Sequence, residues 1–84
     1  MKLTFRHRFT DGRRAMMTLR GPNAAPRVRW PDGMPALETV RGEYLQWMQT
    51  AMQEAANRYG RRVLYVLPDG AQMHAATFEP EGAP

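Results

Sequence analysis

The sequence contains neither cysteine nor serine. Without cysteine, no disulfide and no thiolate metal site can add stability, so packing must carry the fold. The lack of both residues also removes the two commonest catalytic nucleophiles. Six threonines remain, none in a recognisable motif. Long apolar runs are missing too: the longest, residues 63–67, falls far short of a membrane span. Residues 2–6 alternate in polarity and offer no apolar secretory segment, so a cytoplasmic location is expected. Lysine is scarce. Eleven of the twelve cations are arginine, which suits planar bidentate contacts with phosphate or carboxylate, although a GC-rich genome gives the same bias. At 84 residues there is room for one modest core.

Acids are nearly missing from the first part of the chain. Residues 1–30 hold Lys2, Arg6, Arg8, Arg13, Arg14, Arg20, Arg27 and Arg29 against the single acid Asp11. Residues 31–84 reverse the balance, with four arginines against seven acids, and the whole carries a net +4. One end of the molecule is therefore expected to be cationic and to attract anionic partners.

Asp-Gly occurs three times, at Asp11-Gly12, Asp32-Gly33 and Asp69-Gly70. Between alternating runs it signals a chain reversal, because Gly accepts the positive φ of a tight turn. For the first, a two-residue loop would mix polar and apolar groups on one face. A three-residue loop of Thr10, Asp11 and Gly12 instead pairs Leu3 with Leu19, Phe5 with Met17 and His7 with Ala15. It also gathers Lys2, Arg6, Arg8, Arg14, Met16 and Arg20 on the opposite face. A one-residue slip would scramble both faces, so the three-residue loop is predicted.

Residues 21–26 read as loop and residues 27–30 as a short strand entering the second turn. Residues 35–42 have two readings. Pro35 can open a helix running from Ala36, at a cost of about 1 kcal/mol for Gly42 in its interior, or residues 37–40 return as an edge strand and the helix starts near Gly42. Over residues 43–59 the helix is clear: Tyr44, Trp47, Met48, Ala51, Ala55 and Tyr59 recur at helical spacing, and Gly60 is the expected stop. Leu45, Met52 and Ala56 widen the apolar stripe beyond what one sheet usually covers. Either the second hairpin covers that edge or it meets another chain, so these three residues are candidates for an oligomer interface, including a homodimer.

A last pair of strands, residues 62–67 and 71–78, is predicted around Pro68-Asp69-Gly70, and residues 79–84 form a short flexible tail. Both faces of residues 63–67 are apolar, which leaves open which face meets the helix. The expectation is one α+β domain over residues 1–78: a single antiparallel or mixed sheet in ββ(ββ)αββ order with one main helix across it. A right-handed crossover would let the first and last strands lie side by side and parallel. This order of elements resembles the β-grasp group, which includes ubiquitin-like folds and the immunoglobulin-binding module of protein G. Sulfur carriers and ubiquitin-like modifiers of that group react through a terminal Gly-Gly carboxylate. The sequence here reads Glu81-Gly82-Ala83-Pro84, and that activity is not expected.

His7 and His74 are the only imidazoles. Parallel pairing of the outer strands would place them together, as a two-His metal or acid–base site or as two partly buried strand histidines. The second reading is preferred, because a metal site wants three or four ligands and no carboxylate has matching spacing. No metal, cofactor or small-molecule substrate is expected, and the chain reads as non-enzymatic. The better candidate is the basic face: Arg6, Arg8, Arg13, Arg14, Arg20, Arg27 and Arg29, with Trp30 as a stacking surface or as packing beneath its loop. The expected function is a binding module of adaptor or inhibitor type that docks an acidic protein through this face. The alternative is direct contact with a nucleic-acid phosphate backbone. RNA readers usually place aromatics on the binding sheet, and this face has none.

Overall fold

The computed structural model describes residues 1–69 and 72–82. Its elements are β1 (Leu3–Arg8), β2 (Arg14–Leu19), β3 (Arg27–Arg29), α1 (Leu37–Tyr59), β4 (Val63–Asp69) and β5 (Gln72–Phe78). The fold is α+β, and its strands form two antiparallel sheets where one was expected, ordered β1-β2-β3 and β4-β5.

The first hairpin has the predicted register, Leu3 opposite Leu19, Phe5 opposite Met17 and His7 opposite Ala15. Its three-residue loop closes with the Phe9 amide donating to the Arg13 carbonyl at 2.8 Å and the Gly12 amide to the Phe9 carbonyl at 2.9 Å. Gly12 has φ 91°, the left-handed backbone that this turn requires. β3 adds to β2, with Met17 opposite Val28 and Thr18 opposite Arg27. Leu3, Ala15, Met17 and Leu19 are thereby buried, with Phe5 and Val28 packed beside them.

The second Asp-Gly turn makes no hairpin. The Gly33 amide donates to the Trp30 carbonyl at 3.0 Å, and the chain then enters the helix directly. Residues 37–40 are helical, so the longer of the two helix readings holds, and Gly60 closes the helix in left-handed backbone with φ 68°. Gly42 lies inside the helix, and a Cβ built on it would meet nothing within 4 Å. Gly42→Ala is therefore expected to stabilise the fold by about 1 kcal/mol, measured as a higher midpoint in urea with an unchanged slope.

The wide apolar arc of α1 explains the two sheets. β1, β4 and β5 all pack on the helix, and together they cover more of its circumference than one sheet could. Trp47, Met48, Ala51, Met52, Ala55 and Ala56 join Val63, Tyr65 and the inner face of the first sheet in a single core. Met52 and Ala56 are fully buried there. They have no surface to offer another chain, and the interface expected of them is replaced by intramolecular packing; Leu45 is half-buried.

β1 does not pair with the last strand. Instead the flank of β4 is met by the loop after β2, where the Leu64 amide donates to the Pro22 carbonyl at 3.1 Å. Val63 and Tyr65 are the core-facing residues of β4, and Leu64 between them is 39% exposed. The strand also runs further than predicted: Pro68 and Asp69 stay in the ladder, opposite Met73 and Gln72. The tip of that turn, Gly70 and Ala71, lies outside the described residues. After β5 the chain is tied back to the helix. Gln53 Nε2 donates to the Glu79 carbonyl at 2.7 Å, and the Glu81 amide donates to Asn57 Oδ1 at 2.8 Å.

Candidate functional site

Alternation along a strand sends every second side chain to the same face. With β1 and β2 in this register, Thr4, Arg6 and Arg8 share the outer face with Arg14, Met16 and Thr18, and β3 adds Arg27 and Arg29. Three cross-strand rows result: Thr4, Thr18 and Arg27; Arg6, Met16 and Arg29; Arg8 and Arg14. Strand spacing sets Arg6 and Arg29 roughly 10 Å apart across Met16. Lys2 and Arg20 extend the same surface, and the groove over its centre, about 650 Å³, is lined by Lys2, Arg6, Arg20, Arg27 and Arg29 with Thr4 and Thr18 between them. No strand of the sheet contributes a carboxylate.

Charge pairing divides the cations into two groups. Among the described residues, Lys2, Arg6, Arg20, Arg27 and Arg29 make no ion pair, and all five are exposed. Arg13 and Arg14 are engaged. Arg14 holds Asp32 by a two-pronged contact, Nε to Oδ2 at 2.8 Å and Nη2 to Oδ1 at 2.9 Å. Its backbone amide also donates to Oδ2 at 3.2 Å. Arg13 Nη1 donates to the carbonyls of Asp32 and Gly33, the latter at 3.0 Å. The two residues thus clamp the 31–33 turn onto the end of the first hairpin, which gives Arg13 a bracing role.

This clamp answers an electrostatic problem. Arg8 sits directly opposite Arg14, and like charges in that position repel. Asp32 lies against Arg14 and also feels Arg8; its carboxyl is held at about 2, chiefly by the hydrogen bond from Arg14. The partnership in turn raises the pKa of the Arg14 guanidinium. Because the folded value lies below the ordinary 3.8, the stabilisation is complete above about 3.8 and is lost as pH falls through about 2. Wild-type protein is expected to lose thermal stability across that window more steeply than Asp32→Asn, as read by circular dichroism melts between pH 5 and pH 2.

The inner side of the same sheet end is aromatic. Trp30 follows Arg29 on the core side, stacked on Tyr44 at 6.0 Å between ring centroids and tilted against Phe9 at 5.3 Å. It is therefore packing, on the side opposite the cationic face. His7 stacks on Trp47 at 5.6 Å and meets Phe9 edge-on at 4.6 Å. His7 Nε2 lies 2.8 Å from Glu43 Oε2, while Glu43 Oε1 accepts from the Thr10 hydroxyl at 3.1 Å and the Thr10 amide at 3.3 Å. The His7 contact comes first among the causes that pull the Glu43 carboxyl below its ordinary value. This polar latch fastens the first hairpin to α1. The parallel pairing expected to bring His7 beside His74 does not form, since β1 and β5 belong to different sheets; the His74 side chain lies outside the described residues. No group of three or more His, Cys, Asp or Glu suited to a metal ion occurs among the described residues, nor is any of their helices long and apolar enough to cross a membrane.

The sequence pattern anticipated the face formed by β1 and β2 but not its counterion, Asp32, nor the Glu43 latch. A usable signal for Asp32 is the placement of Arg8 directly opposite Arg14, a repulsive pair that a nearby carboxylate relieves, with Asp32 in the next turn. No family model, curated protein or solved structure matches the chain.

Proposed function

We propose that this chain is a small non-enzymatic binding module that docks an acidic macromolecule through the outer face of β1, β2 and β3, acting by occupying its partner's surface. The observation that carries this reading is the set of five exposed cations on or beside one sheet face, Lys2, Arg6, Arg20, Arg27 and Arg29, with no ion pair among the described residues. Folding could have paired them with the acids of residues 31–84, as it pairs Arg14 with Asp32 and Arg62 with Glu79. Keeping like charges together on a rigid sheet costs self-repulsion, and a polyanion relieves it. β3 supports the reading further, because it brings Arg27 and Arg29 onto the hairpin face across a proline-containing loop.

The experiment is fluorescence anisotropy at 50 mM salt with two labelled polyanions, a 20-residue polyglutamate and a 20-nucleotide oligomer. Binding to at least one is expected. Failure of both to bind contradicts the docking face.

A further inference from the structure

We infer that the acidic partner is a nucleic acid, held by its phosphate backbone without readout of base sequence; the inference rests on the docking face proposed above. Three features separate a phosphate backbone from an acidic protein. The first is where the charges sit. Protein interfaces concentrate charge at the rim around an apolar, aromatic-rich centre. Here the central row is Arg6, Met16 and Arg29, so cations flank the only large apolar side chain on the face. Trp30 and Phe9, which could have formed an aromatic anchor, are committed to the opposite side of the sheet.

The second feature is the uncharged remainder. Thr4 and Thr18 stand next to each other in the row that ends at Arg27, both partly exposed. Hydroxyls beside arginines are among the usual donors to phosphate oxygens. The third is spacing. Cations two residues apart on a strand lie roughly 6.6 Å from each other and those two strands apart roughly 10 Å. Successive phosphates of a flexible backbone can track Arg6, Arg29 and Arg27 at such intervals. The same arrangement argues against sequence readout. Base reading on a sheet uses stacked aromatics, or side chains placed in a groove, and this face provides neither.

The test compares the two ligands and then the salt dependence, with wild-type protein, Arg27→Ala and Arg6→Ala. The inference predicts that single-stranded oligomers of unrelated sequence bind with similar affinity and more tightly than polyglutamate. If about five phosphates are contacted, affinity falls about a hundredfold between 50 and 200 mM salt. Each alanine variant should weaken all oligomers alike and reduce the log–log salt slope by about 0.7. Two results overturn the inference while leaving the docking face standing: polyglutamate binding more tightly than the oligomers, or alanine variants that weaken polyglutamate alone. A strong preference for one oligomer sequence refutes the backbone-only reading. Binding to neither ligand at 50 mM salt removes the docking face itself.

Discussion

A protein carrying Arg6→Glu, Arg27→Glu and Arg29→Glu together is expected to fold as the parent does and to lose polyanion binding by about three orders of magnitude at low salt. The three side chains lie on the solvent face of the first sheet, where substitutions usually change stability by no more than about 0.5 kcal/mol each. None forms an ion pair among the described residues, so no acid is left stranded by their reversal. The net charge moves from +4 to −2, since each reversal removes two units. Parent-like melting with lost binding localises the site. Retained binding refutes it. Asp32→Asn should act in the opposite direction, because it frees Arg14 and takes a negative charge from beside Arg8, and binding at neutral pH is expected to tighten.

Arg14 is a poor choice for the reversal experiment. Arg14→Glu would set a carboxylate against Asp32 and loosen the 31–33 turn, mixing a folding defect with a binding defect.

Met52→Lys is expected to abolish the cooperative folding transition. Met52 is fully buried in the core between the helix and both sheets. Loss of its packing costs about 2–5 kcal/mol, and an unpaired ammonium in the same place costs several more. An 84-residue domain has only about 4–12 kcal/mol in total. Leu45→Lys, at a half-buried position on the same helix, should keep a cooperative melt with a lowered midpoint. The pair of variants separates core from oligomer interface. Were Met52 a contact between chains, its lysine variant would remain folded and only the mass in solution would fall.

Local pattern in the sequence is legible wherever one geometry has to satisfy two faces at once. The register of the first hairpin comes from requiring Leu3, Phe5, Ala15, Met17 and Leu19 on one side and the cations on the other, and the structure has that register. The helix from Glu43 onward and its stop at Gly60 are equally constrained, by spacing and by the need for positive φ. The rest depends on choices that alternation does not encode. Burial pattern decides which face of a strand is hidden but says little about which edge pairs with which neighbour; hence two sheets form where one was expected. The stripe widened by Leu45, Met52 and Ala56 is indeed too broad for one sheet, and the second sheet supplies the cover.

The second Asp-Gly turn misleads for a related reason. Asp-Gly signals a reversal, and a reversal into a helix satisfies it as well as a hairpin does. Here Asp32 has a further role that local sequence does not display, as the acceptor that neutralises Arg14 and eases Arg8. Local sequence leaves Trp30 open between pocket and surface, because only the pairing of Val28 with Met17 fixes which way its neighbours point. For the candidate site, therefore, the β1–β2 part is readable and Arg27 and Arg29 are named from their place in the chain, while their pairing onto the β2 edge and the contacts of Arg13 and Trp30 require the fold.

The most direct test of the docking face is a ¹H–¹⁵N correlation spectrum of the protein titrated with a short single-stranded oligomer at 50 mM salt. The account predicts that the amides of Thr4, Arg6, Met16, Thr18, Arg27 and Arg29 shift together on one binding curve, while Gln46, Gln49 and Thr50 on the exposed side of α1 stay in place. Shifts centred on the helix, with the sheet face unmoved, would contradict it.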